Sequence, residues 1–204
     1  MVTAMRAPSV PPKKGEQTRR AILAAAIARF GREGYRATSV ADIARDADVG
    51  GTVPYAYFDG KETLFLAAVD EDAAGVISEG VSLFDDDPLA PDWRQTLIFT
   101  LVAAVEHHPL ARRLLAGLEP DVTARVLDIP ALAELRRVFA ERLDAEQASG
   151  TVRTDIDTTT IANGLVSIVL SLLMSVVQLG TEAASVYARD VAAVFESALD
   201  RPAG

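Results

Sequence analysis

Apolar residues recur at three- and four-residue intervals over almost the whole chain, and the elements this spacing predicts are helices. Ile22, Leu23, Ala26, Ile27 and Phe30 form one face of a helix from about Lys14 to Glu33. Gly34 then suits a left-handed cap. Val40, Ile43 and Ala44 make a shorter stripe, with Thr38 or Ser39 as its cap and Asp42 as capping-box partner to Ser39. A turn falls at Ala47-Asp48-Val49-Gly50, and a second short helix closes with Tyr55, Tyr57 and Phe58. Asp59 and Glu62 mark the start of a long helix that carries Leu64, Phe65, Ala68 and Val69 to about Phe84, where Asp85-Asp86-Asp87-Pro88 breaks it. Trp93, Leu97, Leu101 and Val105 repeat every four residues. Pro109, Pro120 and Pro130 suit first helical positions. Leu132, Leu135, Phe139 and Leu143 stripe a helix ending near Gly150. There is no convincing strand pattern and no internal repeat.

Residues 158–181 contain no charge and are mostly apolar. By length this run matches a membrane span. Against that, Asn163, Gly164, Ser167, Ser171, Ser175 and Gln178 interrupt it, and its flanks, Asp157 and Glu182, are acidic. A helix apolar on nearly all sides in a soluble protein is buried on nearly all sides. A last helix, about Glu182 to Leu199, puts Tyr187, Val191, Val194, Phe195 and Ala198 on one face. The expected arrangement is a homodimer in which the helices at about 158–180 and 182–199 pair with their copies in a four-helix interface, with no membrane contact.

Composition narrows the function. Half the chain is apolar but only 6% is aromatic, so the core is aliphatic. There is no cysteine, which excludes thiol chemistry and thiolate metal sites. His107 and His108 are adjacent, not spaced as a helical metal pair. No nucleophile elbow, phosphate loop or cofactor motif is present, so neither an enzyme nor a metal or cofactor site is expected. The N-terminus lacks the apolar core of a signal peptide, and a cytoplasmic location is expected. The net charge of -9 hides a division. Up to Lys61 there are 10 Lys and Arg against 6 Asp and Glu, or +4; from Glu62 there are 10 Arg against 23 Asp and Glu, or -13. A basic first third beside an acidic remainder points to one part that meets phosphate and one that does not.

The stretch 38–61 therefore carries the chemistry. A short helix, a tight turn and a second short helix rich in small residues and tyrosine form the arrangement that enters a DNA major groove. Gly50 and Gly51 make a weak helix start, and Pro54 is acceptable only in a first turn. The second helix is thus expected to begin at Gly51 or Thr52, with Thr52 a possible N-cap. Few side chains remain for base readout, so specificity leans on backbone placement and DNA shape.

The N-terminal third resembles the TetR family of bacterial regulators. The resemblance rests on Arg20 to Ala26, Phe30, Gly34-Tyr35, Thr38-Ser39-Val40, Asp42-Ile43-Ala44, Val49, Tyr55, Tyr57-Phe58 and Lys61-Glu62-Thr63-Leu64. Asp48 replaces a glycine usual in that family's turn, and aspartate tolerates the left-handed backbone. The resemblance implies an all-α homodimer of about nine helices. Residues 1–12 would be a disordered tail, 13–60 a three-helix helix-turn-helix domain, and 61–204 a ligand-binding and dimerisation domain. It implies a repressor released from a palindromic double-stranded operator by a small hydrophobic effector. The alternative is a dimeric small-molecule-binding protein with weakened DNA binding. By matching position, Lys61 binds a phosphate, Tyr57 contacts a phosphate or a base, Tyr55 does the same or packs on the first helix, and Gly51, Thr52 and Val53 form the leading turn in the groove. Ser39 and Thr38 cap a helix facing a phosphate. In the C-terminal part the candidates for the effector pocket are Trp93, Phe99, His107, Arg112, Phe139, Met174 and Gln178, with Trp93 and Phe139 also readable as core.

Overall fold

Eight α-helices and one 3-10 helix make up the regular structure among the described residues, which in this computed structural model are 14–82, 93–120 and 128–199. They are α1 (Lys14–Glu33), α2 (Val40–Asp46), the 3-10 helix (Val53–Ala56), α3 (Lys61–Ser82), α4 (Trp93–Val105), α5 (Pro109–Leu115), α6 (Pro130–Ser149), α7 (Thr158–Leu179) and α8 (Thr181–Leu199). The all-helical expectation of about nine helices is met. The expected tail at 1–12, the break at Asp85–Pro88, the helix after Pro120 and the side chain of Tyr187 lie outside the described residues.

The predicted stripes become the core. Ile22, Leu23, Ala26 and Phe30 of α1 are buried against Leu64, Phe65 and Ala68 of α3 in one cluster. Phe30 meets Phe65 edge-on at 5.0 Å, and Tyr35 meets the same ring at 4.9 Å. Fully burying a side chain of this size stabilises by about 1.5–3 kcal/mol, several times an exposed ion pair. Apolar packing thus fixes α1 on α3, while a fork from Arg29 to Asp46 (2.6 and 3.0 Å) sets α2 against α1.

α5 packs directly on α1 and α3, so the first third and the remainder share one core. Gly31 permits the approach: a Cβ there would meet the Pro109 side chain at 2.8 Å. α5 has no cap from its own flanking residue. Instead Asp72, buried on α3, accepts the backbone N–H groups of Leu110 (3.0 Å) and Ala111 (2.8 Å), and its other oxygen faces His108 Nδ1 at 2.9 Å. α6 packs on α7, and α7 on α8. Gly150, at φ 78°, supplies the left-handed end of α6. α7 is the one described helix long and apolar enough to cross a membrane, yet it packs on α4, α5, α6 and α8.

Candidate nucleic-acid interface and internal cavity

Ser39 caps α2: its hydroxyl accepts the Asp42 N–H at 3.1 Å and donates to the Asp42 carboxylate at 2.6 Å. That hydroxyl holds the Asp42 carboxyl below its ordinary value, with Arg45 and Arg29 adding to the effect. The expectation for Thr38 needs correction. It is buried, and its hydroxyl donates to the Gly34 carbonyl at 2.8 Å, so it ties down the corner after α1 and does not face outward.

Asp48 turns the chain at φ 53°, the left-handed backbone expected there. The following element starts late, as Gly50, Gly51 and Pro54 imply, but it is not an α-helix. It is a 3-10 helix of 4 residues, and Thr52 precedes it without a side-chain cap bond. Glycines at its start and a proline without a donor leave too few backbone bonds to close α-helical turns.

Gly51, Thr52 and Tyr55 are exposed on this element, while Val53 is half-buried against the core. Tyr55 is 58% exposed, so it faces outward and does not pack on α1. Tyr57 is half-buried and packs on the core. Phe58 is core, as the sequence suggests, with the Arg19 guanidinium 5.4 Å above its ring. Lys61 opens α3; its Nζ lies 4.5 Å above the Tyr35 ring and donates to the Arg36 carbonyl at 3.4 Å. Ser39, Gly51, Thr52 and Tyr55 are thus the exposed members of the predicted set, and Tyr57 and Lys61 stand half-buried.

In the other half, α3, α4, α5, α6 and α7 border a partly open cavity whose described lining is apolar, among it Val69, Ala73, Val76, Leu101, Leu114 and Leu173. None of the seven side chains predicted for a pocket lines it. Trp93 is buried against Phe139 (5.4 Å) and donates to Glu146 at 2.7 Å, so both aromatics are core. Phe99 and Met174 are exposed. His107 is exposed, and Arg112 pairs with Glu106. Gln178 donates to the Leu115 carbonyl at 2.8 Å, bracing α7 on α5. The missed wall residues had a faint signal: Ala73 and Ala111 are small positions within otherwise large apolar stripes.

No curated protein sequence matches the chain. Residues 22–68, from α1 into α3, match the family described as bacterial regulatory proteins, tetR family. Among solved structures, a TetR-family transcriptional regulator from Pectobacterium atrosepticum is similar over 94% of this chain and 100% of its own, at 20% identity and TM-score 0.69. A putative TetR-family regulator from Rhodococcus sp. covers 86% of this chain and 98% of its own, at 20% identity and TM-score 0.67. Thermus thermophilus FadR, a TetR-family transcriptional repressor in complex with lauroyl-CoA, covers 91% and 98%, at 23% identity and TM-score 0.64. At these identities the structures speak for the fold, and the match over 22–68 speaks for the first domain. The chain thus carries a tetR-type DNA-binding regulatory domain at residues 22–68, on an overall fold shared with TetR-family structures.

Proposed function

We propose that the chain represses transcription in the bacterial cytoplasm as a homodimer bound to a palindromic operator, and that a small hydrophobic effector in the α3–α7 cavity releases it. The observation that carries this is that α3 serves both ends. Its first residue, Lys61, follows the 3-10 helix closely in sequence and lies over the Tyr35 ring, and its Val69, Ala73 and Val76 line the cavity. Twelve residues of helix separate Lys61 from Ala73, about 18 Å. Filling the cavity displaces α3, and with it the two groove-facing elements whose spacing must match half-sites about 34 Å apart.

In this reading Tyr55 and Thr52 reach bases or phosphates, Gly51 lets the backbone approach, and Val53 touches a thymine methyl. Ser39, Tyr57 and Lys61 hold phosphates. Residues 13–60 form the DNA domain and 61–204 the sensing and dimerisation domain. Dimerisation uses α7 and α8. Leu179 and Val194 are 62% and 65% exposed in the single chain. The hydroxyls of Ser167, Ser171 and Ser175 donate to carbonyls four residues back, so that face carries satisfied polar atoms and can pack against its copy.

Fluorescence anisotropy on the DNA flanking the protein's own gene, with a selected random library alongside, tests the reading. Tight and steeply salt-dependent binding to a palindrome is expected. A second reading, a dimeric small-molecule-binding protein with weakened DNA binding, draws support from the 4-residue 3-10 helix and its paired glycines. Absence of binding in both assays would favour it.

A further inference from the structure

We infer that the effector enters the cavity as an unbranched or lightly branched aliphatic chain of medium length, recognised by length alone, with its polar end outside the wall. The inference rests on the sensing role proposed above and narrows it to a ligand class.

Its first support is the wall. Among the described residues, every one lining the cavity is Ala, Val, Leu or Ile, and none of them turns a polar atom to the space. A polar ligand group taken inside would lose its water bonds without replacement, at a cost of about 1–3 kcal/mol. The described wall residues include no aromatic ring either, so stacking finds no partner among them.

The second support is that the buried polar side chains of the described residues are already committed. The buried polar side chains among the described residues are Thr38, Asp72, Glu119 and Glu146. Thr38 bonds the Gly34 carbonyl. Asp72 holds His108 and two amides of α5. Glu119 accepts from Tyr35 N–H and Arg113, and Glu146 from Trp93 and Arg94. A ligand group competing for any of them would have to break a bond that the fold already uses.

Size supplies the third. The cavity gives about 90 Å³ of room for the centres of water-sized groups. One such group needs about 10–15 Å³ of that room, which admits about six to nine of them in a row or cluster. A methylene is close to water in size, so the chain that fits has about six to nine carbons.

The experiment is calorimetric titration of the full-length protein with n-alkanols from butanol to decanol, and with the alkanoates and alkylamines of matching length. Affinity is expected to rise about fourfold per methylene until the cavity fills, then level off. Alcohol, acid and amine of one length should bind within a fewfold of each other. Ala73→Leu should move the plateau down by about three carbons, and Leu132→Ala should move it up by about the same number. Affinity that ignores chain length, or one head group favoured a hundredfold at every length, overturns the inference. The unmodified protein decides this by itself should either variant fail to fold. Operator binding is scored separately: chain-length dependence without any effect on DNA would leave this inference standing and remove the effector role.

Discussion

The Glu119 carboxylate accepts the backbone N–H of Tyr35 at 3.1 Å, across 84 positions of sequence. The same oxygen takes the Arg113 Nε–H at 2.6 Å. One buried carboxylate thus joins the corner after α1 to the turn after α5. Gly34 makes room for it, since a Cβ there would run into both Arg113 and Glu119, and its φ of 85° suits glycine.

Glu119→Ala should therefore loosen the helix-turn-helix from the body of the protein. Losing the carboxylate leaves a partly buried N–H and a half-buried guanidinium without this partner, at about 1–3 kcal/mol. Urea unfolding should show that loss, and hydrogen exchange at the Tyr35 amide should accelerate. Operator affinity should fall even though Glu119 is remote from the exposed edge. An unchanged Tyr35 exchange rate would show that the corner is held by other contacts.

That joint also marks the limit of what the sequence discloses. The helices were legible because each buries a stripe of three or more large apolar residues, as in Ile22-Leu23-Ala26-Phe30 and Leu132-Leu135-Phe139-Leu143. The late start of the element at Val53–Ala56 was legible from Gly50, Gly51 and Pro54, each a local backbone constraint. Its collapse to a 3-10 helix was not, because the choice between closures depends on packing beneath Pro54 and Phe58. Tyr55 and Tyr57 differ in exposure for the same tertiary reason. The cavity was hidden more deeply. Its wall uses the residues that fill a core, so nothing local distinguishes Val76 or Leu114 from a packed side chain. The aromatic candidates for ligand contact, Trp93 and Phe139, instead pack on each other.

The exposed edge gives three variants with separable outcomes. Tyr55→Ala should weaken operator binding without changing the unfolding midpoint, because the side chain has little packing to lose. Tyr57→Ala should weaken binding and also destabilise, since that ring packs on the core. Lys61→Ala should lower affinity on all DNA sequences alike and reduce the salt slope by about one. Normal binding by Tyr55→Ala and Lys61→Ala together would mean that DNA meets another face.

Acid should loosen the same domain. The Arg29 guanidinium forks onto Asp46 and holds that carboxyl below its ordinary value, chiefly by hydrogen bonding. A depressed carboxylate stabilises the fold above the ordinary Asp value, and the benefit is lost as pH falls through the lower, folded value. The thermal midpoint should be flat above about pH 5 and fall below about pH 4. Asp46→Asn should start lower at neutral pH and fall less in acid. Asp42 is lowered too, first by its Ser39 bond, so part of the slope should remain. Circular-dichroism melting at both ends of the range measures it.

Dimer formation should depend on the apolar residues left open on α7 and α8. Leu179→Glu with Val194→Glu places charges where two copies would meet, and sedimentation should report a monomer. Far-ultraviolet dichroism should be unchanged, because both positions are exposed in the single chain. Operator affinity should then drop about 10²–10⁴-fold, the advantage of binding two half-sites at once. A dimer surviving both substitutions would assign the interface to other helices.

The cap of α5 offers the sharpest test of how the two halves are joined. This helix has 7 residues, opens on Pro109, and receives no cap bond from His108. Asp72 supplies the acceptor from α3, so the start of one helix is fixed by the middle of another. Asp72→Ala leaves two N–H groups unaccepted, one of them buried, and should cost about 2–4 kcal/mol. Asp72→Asn keeps an oxygen for those amides but gives up the carboxylate that faces His108, so it should cost less. Gly75→Ala attacks the joint from the other side, because a Cβ there would run into the His108 ring. Hydrogen exchange at Leu110 and Ala111 separates these cases: fast in Asp72→Ala, slower in Asp72→Asn. If both amides stay protected in Asp72→Ala, α5 is held by packing on Gly31 and α1 alone, and the polar joint carries no share of the coupling.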